Sequence, residues 1–241
     1  EPLPLGEAGA ADPIAPVPPR GHAVEARLYA EDPDNGFLPS SGRLERLVFP
    51  EGEGVRVDSG VLEGDRVSAF YDPMIAKIVV HGETRDAAFD RLEAALSATR
   101  VVGPKSNLAF LRRLAAHPEV RAGAHDTGFV DRALGALTGG TLSPQTLAAA
   151  VWLSLDAAGA PRGAADPGDW VDPWSVRDGF RVSGEAGQSF RFSVDGEETI
   201  VNVAWAGAGP PEIRIGDVAV VPDADPAATG LVERTPSGVF A

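Results

Sequence analysis

The stretch GHAVEARLYAED spaces a carboxylate, a guanidinium and a phenol at Glu25, Arg27 and Tyr29. On an extended strand, residues two apart share a face, so these three side chains project together. His22, Val24, Ala26, Leu28 and Ala30 project the other way. Two chemistries are open to such a face. One is a surface salt bridge between Glu25 and Arg27, of small energetic consequence. The other is an active-site wall, on which Arg27 stabilises an oxygen that gains negative charge, an effect worth a factor of roughly 10²–10³ in rate. Periodicity does not choose between them.

Other reactive residue types are absent or badly spaced. There is no cysteine, which removes disulfides, thiolate nucleophiles and cysteine zinc sites together. The four histidines, His22, His81, His117 and His125, include no pair three or four apart and no HExxH, so no metal site is expected. No GxSxG, GxxxxGK[ST] or GxGxxG is present. Adjacent acids such as Glu31-Asp32 and Glu197-Glu198 read as solvated surface. With 35 acidic against 21 basic residues and a net charge of −14, the chain is a poor binder of nucleic acid or of anionic lipid. No apolar run approaches the roughly 18 residues of a membrane helix. The first residues lack both the plan of a signal peptide and an initiator Met. The expectation is a cytoplasmic protein cut from a longer polypeptide.

The elements that must carry these residues fall into two halves. Residues 1–20 hold six prolines and read as a linker or tail. Residues 21–132 mix strand and helix signals. GHAVEARLYAED is a half-buried strand, DPDNGFLPSSG a loop, RLERLVF and VRVDS short strands, and MIAKIVVHG a central strand. TRDAAFDRLEAALSA predicts a helix capped by Thr84, and NLAFLRRLAAHP a second, with Asn107 as cap and Pro118 as stop. TGFVDRAL predicts a short third helix. Residues 133–144 form a connector broken at Gly139-Gly140. From 145 to 241 one apolar helix, capped by Ser143 and ended by Gly159, precedes short strands. Those strands are FRVSG, SFRFSV, TIVNVAW, EIRIG, VAVVP and LVERT, with turn signals at Asp195-Gly196 and Gly216-Asp217. The expected class is α+β: an antiparallel sheet with helices, then a mostly β, barrel-like domain around one long helix.

GHAVEARLYAEDPDNGFLPSSGRL, VRVDSGVLEGDRVSAFYDPMIAKIVVHGETRDAAFDRLEAAL and GPKSNLAFLRRLAAHPEVRAGAHDTGFVD together resemble the C-terminal part of biotin carboxylase, an ATP-grasp enzyme. The likeness runs in unbroken order from Gly21 to about Asp131. It implies that Arg27, the arginine of GHAxExR, faces biotin and stabilises the enolate oxygen formed when the ureido nitrogen loses its proton. Glu25 and Tyr29 are then substrate-shell residues. Arg56 matches a subunit-contact position of the two-fold bacterial enzyme, although Glu53 stands where that dimer often has an aromatic. Asp72 in YDPM reads as a turn carboxylate, with a lesser claim to an interface. The family's ATP lid, its metal-binding glutamates and its bicarbonate segment precede the region matched, so ATP hydrolysis by this chain alone is not expected.

DPWSVRDGFRVSG resembles the region after biotin carboxylase in acyl-CoA carboxylase α subunits, particularly the 3-methylcrotonyl-CoA type. This resemblance implies docking on a carboxyltransferase β subunit and a hetero-oligomer as the product; Trp170 and Trp174, in the polar DWVDPW loop, are the candidate interface residues. The biotinylation motif of a carrier domain is absent, and the only lysines are Lys77 and Lys105. Biotin is therefore expected on a carrier domain outside this chain, and ATP and Mg on residues outside it. The whole enzyme would be a ligase. A reading of another class is a non-catalytic assembly module with no activity of its own.

Overall fold

The computed structural model describes residues 20–140, 142–157, 186–194, 197–205, 212–220, 233–235 and 238–240. The chain divides into two compact units, the first ending at Leu137 and the second taking up the chain from Thr138.

The first unit is built on a three-stranded antiparallel sheet. Its strands are β1 (His22–Tyr29), β2 (Val55–Ser59) and β3 (Met74–Gly82), in the order β1-β3-β2. β3 takes the centre as its apolar run predicts: Ile75, Ala76, Ile78 and Val80 are all buried. The register pairs Arg27 with Lys77 and Glu25 with Val79 on one side of β3, and Asp58 with Lys77 and Arg56 with Val79 on the other. Direct cross-strand partners share a face. One face of the sheet is therefore charged, and the other carries Ala26, Ile78 and Val80 into the core. A register irregularity between Leu28 and Tyr29 ends the regular alternation of β1.

Four helices complete this unit: α1 (Arg85–Ala98), α2 (Leu108–Ala116), α3 (Pro118–Arg121) and α4 (Phe129–Leu137). Thr84 caps α1 by accepting from the Ala87 N–H at 3.2 Å. The helix buries Phe89, Leu92 and Leu96 against the sheet, alongside Phe110, Phe129 and Leu137. Gly82 is the hinge of that packing, because a Cβ there would lie 2.5 Å from the Ala88 nitrogen. α2 ends at Ala116, two residues before Pro118, as expected, and Pro118 then opens α3, where its fixed φ suits a first helical turn. The loop DPDNGF folds into a one-turn 3₁₀ helix over Pro33–Asn35. Phe37 follows at φ 59° and sets its ring edge-on to Phe110 at 5.1 Å.

In the second unit α5 (Pro144–Ala157) lies on a four-stranded antiparallel sheet. The strands are β4 (Ala186–Val194), β5 (Glu197–Trp205), β6 (Glu212–Ile215) and β7 (Val218–Val220), in chain order. Leu147, Val151 and Leu155 of the helix meet Val201, Val203, Ile213 and Val220 of the sheet. Ser143 Oγ accepts from the Thr146 N–H at 3.1 Å, so the expected cap is present. β4 and β5 pair from Ala186–Trp205 to Val194–Glu197, and Ile215 pairs with Val218 around Gly216 at φ 59°. The residues Asp195-Gly196, Gly159 and the FRVSG strand lie outside the described residues.

The α+β class is as the sequence indicated, but the barrel is not. Among the described residues no sheet closes. Among those residues β4 and β7 are the outer strands of the sheet, and β8 (Glu233–Thr235) and β9 (Gly238–Phe240) form a separate two-stranded pair. A barrel needs its first and last strands bonded to each other, and the described pairings stop at β7. Among the described residues no helix is long and apolar enough to cross a membrane.

Candidate functional site

The face read from the spacing of β1 exists and is ordered by ion pairing. Arg27 Nε donates to Glu25 Oε1 at 3.0 Å, with the two side chains 61% and 40% exposed. Hydrogen bonding to Glu25 first, and to Tyr29 second, raises the guanidinium pKa above its ordinary value. Tyr29 sits beyond the irregularity in β1 and is half-buried.

Among the described residues β1 is an edge strand, and its open side borders a groove of about 600 Å³. Glu25, Arg27, Tyr29 and Glu31 line it together with Phe89, Leu92 and Leu111. At the end nearer His22, Arg85 closes the wall. Its Nε and Nη2 donate to the carbonyls of Arg121 and Val120 at 2.6 Å each, and its guanidinium lies 4.8 Å from the Phe89 ring centre. The groove joins a polar rim to an apolar floor, the usual make-up of a small-molecule site.

Two members of the site were not singled out by sequence reasoning. Glu31 passed for solvated surface. Partial burial, and then the charge of Asp72, push its carboxyl pKa up. Asn107 was expected to cap α2. Its side chain makes no cap bond and serves β1 instead. The only sequence signal for either was position: Glu31 continues the two-residue spacing of the polar face, and Asn107 precedes a helix.

The remaining candidates are placed as follows. Arg56 is exposed and pairs with Asp58 through two contacts, 2.8 and 3.2 Å. That pairing holds the Asp58 carboxyl below the usual carboxylate range. Asp72 is exposed, and its Oδ1 accepts from the Met74 N–H at 2.9 Å, the geometry of a turn carboxylate. Next to it Phe70 and Tyr71 are 92% and 85% exposed. Trp170 and Trp174 lie outside the described residues. Trp152 and Trp205 are half-buried against the core of the second unit. Among the described residues no group of three acidic or histidine side chains could hold a metal ion.

Comparison with known proteins accounts for both units. Residues 25–132 match the biotin carboxylase C-terminal domain. Residues 143–236 match the BT domain of the methylcrotonyl-CoA carboxylase alpha-subunit. The mitochondrial methylcrotonoyl-CoA carboxylase subunit alpha of Dictyostelium discoideum is 38% identical over 193 residues, covering 78% of this chain and 27% of that protein. Its counterpart in Mus musculus is 48% identical over 115 residues, 47% of this chain and 16% of the relative. A biotin carboxylase of Halalkalibacterium halodurans is 44% identical over 123 residues, 51% of this chain and 27% of the relative. The chain thus spans between 16% and 27% of the length of these curated relatives. It joins, in this order, a biotin carboxylase C-terminal domain and a BT domain of the methylcrotonyl-CoA carboxylase alpha-subunit family.

Proposed function

We propose that this chain is a segment of the α subunit of a biotin-dependent acyl-CoA carboxylase. In that role its first unit completes the site where biotin is carboxylated at the expense of ATP and bicarbonate. Its second unit docks the carboxyltransferase β subunit. The observation that carries the catalytic part is the exposed guanidinium of Arg27, held by Glu25 on the rim of the groove beside β1.

Arg27 fits the task for a physical reason. A guanidinium stays charged at every working pH and presents several N–H donors in one plane. An oxygen that becomes negative as its neighbouring ureido nitrogen loses a proton is stabilised by a donor already in place. Glu25 supplies that placement without neutralising the remaining N–H groups, because its described bond takes only Nε. Biotin, brought by a carrier domain, supplies the nitrogen that accepts the carboxyl group. In this reading ATP and Mg are held by other residues of the whole enzyme.

The experiment is to capture the native polypeptide with an antibody to this segment, then measure its mass and its biotin content. A biotinylated chain well above 25.0 kDa that retains a carboxyltransferase subunit is the expected result. A biotin-free chain of this size, with no partner bearing an ATP site, would leave only an assembly role.

A further inference from the structure

We infer that Asn107 is a positioning residue for Arg27, an inference that rests on the catalytic reading of Arg27 above. Asn107 is 5% exposed and stands at the start of α2, where an asparagine ordinarily caps. It spends its side chain elsewhere. Nδ2 donates to the Arg27 carbonyl at 3.1 Å, and Oδ1 accepts from the Tyr29 N–H at 2.9 Å. The Asn107 main-chain N–H donates to the Tyr29 carbonyl at 3.1 Å. A primary amide has the donor and acceptor pattern of a peptide group, so Asn107 stands in for one residue of a missing neighbour strand on the outer edge of β1.

The place of this patch matters. It covers the step at which the β1–β3 ladder becomes irregular, between Leu28 and Tyr29. There the inner ladder holds the strand least regularly, and the outer edge would otherwise offer three main-chain groups to a half-buried groove. The loop that carries Asn107 grips the following segment as well. Lys105 Nζ lies 2.9 Å from Asp32 Oδ2, and the Lys105 N–H donates to Ser40 Oγ at 3.0 Å. No other side chain reproduces the contact: aspartate loses the donor and adds a charge, serine is too short for both bonds, and glutamine is one methylene too long.

The test is a double-mutant cycle in the intact carboxylase carrying this segment, read as kinetics of biotin carboxylation. Asn107→Asp is expected to lower kcat/KM for biotin by roughly tenfold or more, since a displacement of about 1 Å in a charged donor suffices for such a loss, with KM for ATP unchanged. In the Arg27→Ala background the same substitution should add less than about twofold. A full, additive loss in that background, or an unchanged rate for Asn107→Asp alone, overturns the positioning role. If Arg27→Ala is itself silent, the catalytic reading fails, and that outcome is distinct from additivity. Should Asn107→Asp not fold, Asn107→Ser enters the same cycle. Faster amide exchange at Tyr29 with α1 unaffected is the accompanying structural signature.

Discussion

Arg27 and Lys77 are direct cross-strand partners, so two cations stand side by side on the charged face of the sheet. Glu25 bonds Arg27 at 3.0 Å, while Asp58, already bonded to Arg56, lies 3.6 Å from Lys77 Nζ. Like charges directly opposite on a sheet repel. The nearby acids offset that repulsion, and Arg27 lines the groove.

This arrangement predicts that Glu25→Gln reduces biotin carboxylation without unfolding the domain. With the charge gone, the Arg27 Nε bond falls to one with a neutral acceptor while Lys77 still repels the guanidinium. A fall of roughly tenfold is expected, the scale of one hydrogen bond to a charged group. Steady-state kinetics beside a thermal melt check it. An equal fall in melting temperature and activity would point to a structural acid instead.

Ile78 is fully buried at the centre of β3, within the cluster that holds Phe89, Leu92 and Leu96. Ile78→Ala should cost about 2–5 kcal/mol, as removal of buried methylenes leaves a cavity that packed neighbours fill only in part. Urea unfolding followed by a signal from the first unit measures it.

Gly82→Ala tests the close approach of β3 to α1. The new Cβ would meet the Ala88 nitrogen at 2.5 Å and the Ala87 carbonyl carbon at 2.8 Å, both main-chain atoms of α1. Since backbone cannot rotate aside, α1 must shift, at an expected cost of about 1–3 kcal/mol. A denaturation midpoint equal to the parent's would contradict this tight seating of the helix.

Glu31 gives the sheet edge a pH dependence. Its carboxyl pKa is raised in the fold, by burial and then by Asp72. The folded state therefore holds that proton more tightly than the unfolded state does, and stability falls as pH rises from the ordinary glutamate value through the raised one. Glu31→Gln removes this falling limb and should be the more stable protein at neutral pH. Melting temperatures of both proteins across the acid range decide it. A Glu31→Gln protein that is less stable at pH 7 contradicts the sign.

Much of this was legible locally. Alternation gave the two faces of β1 up to Leu28, the apolar run MIAKIVVHG gave a central strand, and Thr84 gave the start of α1. What escaped depended on residues far apart in the chain. The bonds from Asn107 reach back 78 and 80 residues, and local spacing offers only a cap. The groove gathers residues from His22 to His125, a set no motif joins. Whether short strands close into a barrel is likewise a matter of long-range pairing, and strand composition is the same for open and closed sheets. Arg27 itself stood between two readings on spacing alone, and family resemblance raised one of them.

The most direct test of the account is Arg27→Ala in the intact subunit, assayed for carboxylation of free biotin with ATP and bicarbonate. A loss of about 10²–10³-fold in kcat, with the fold and KM for ATP retained, is expected. Biotin turnover equal to the parent's would contradict it, and would leave the Glu25–Arg27 pair as a surface salt bridge.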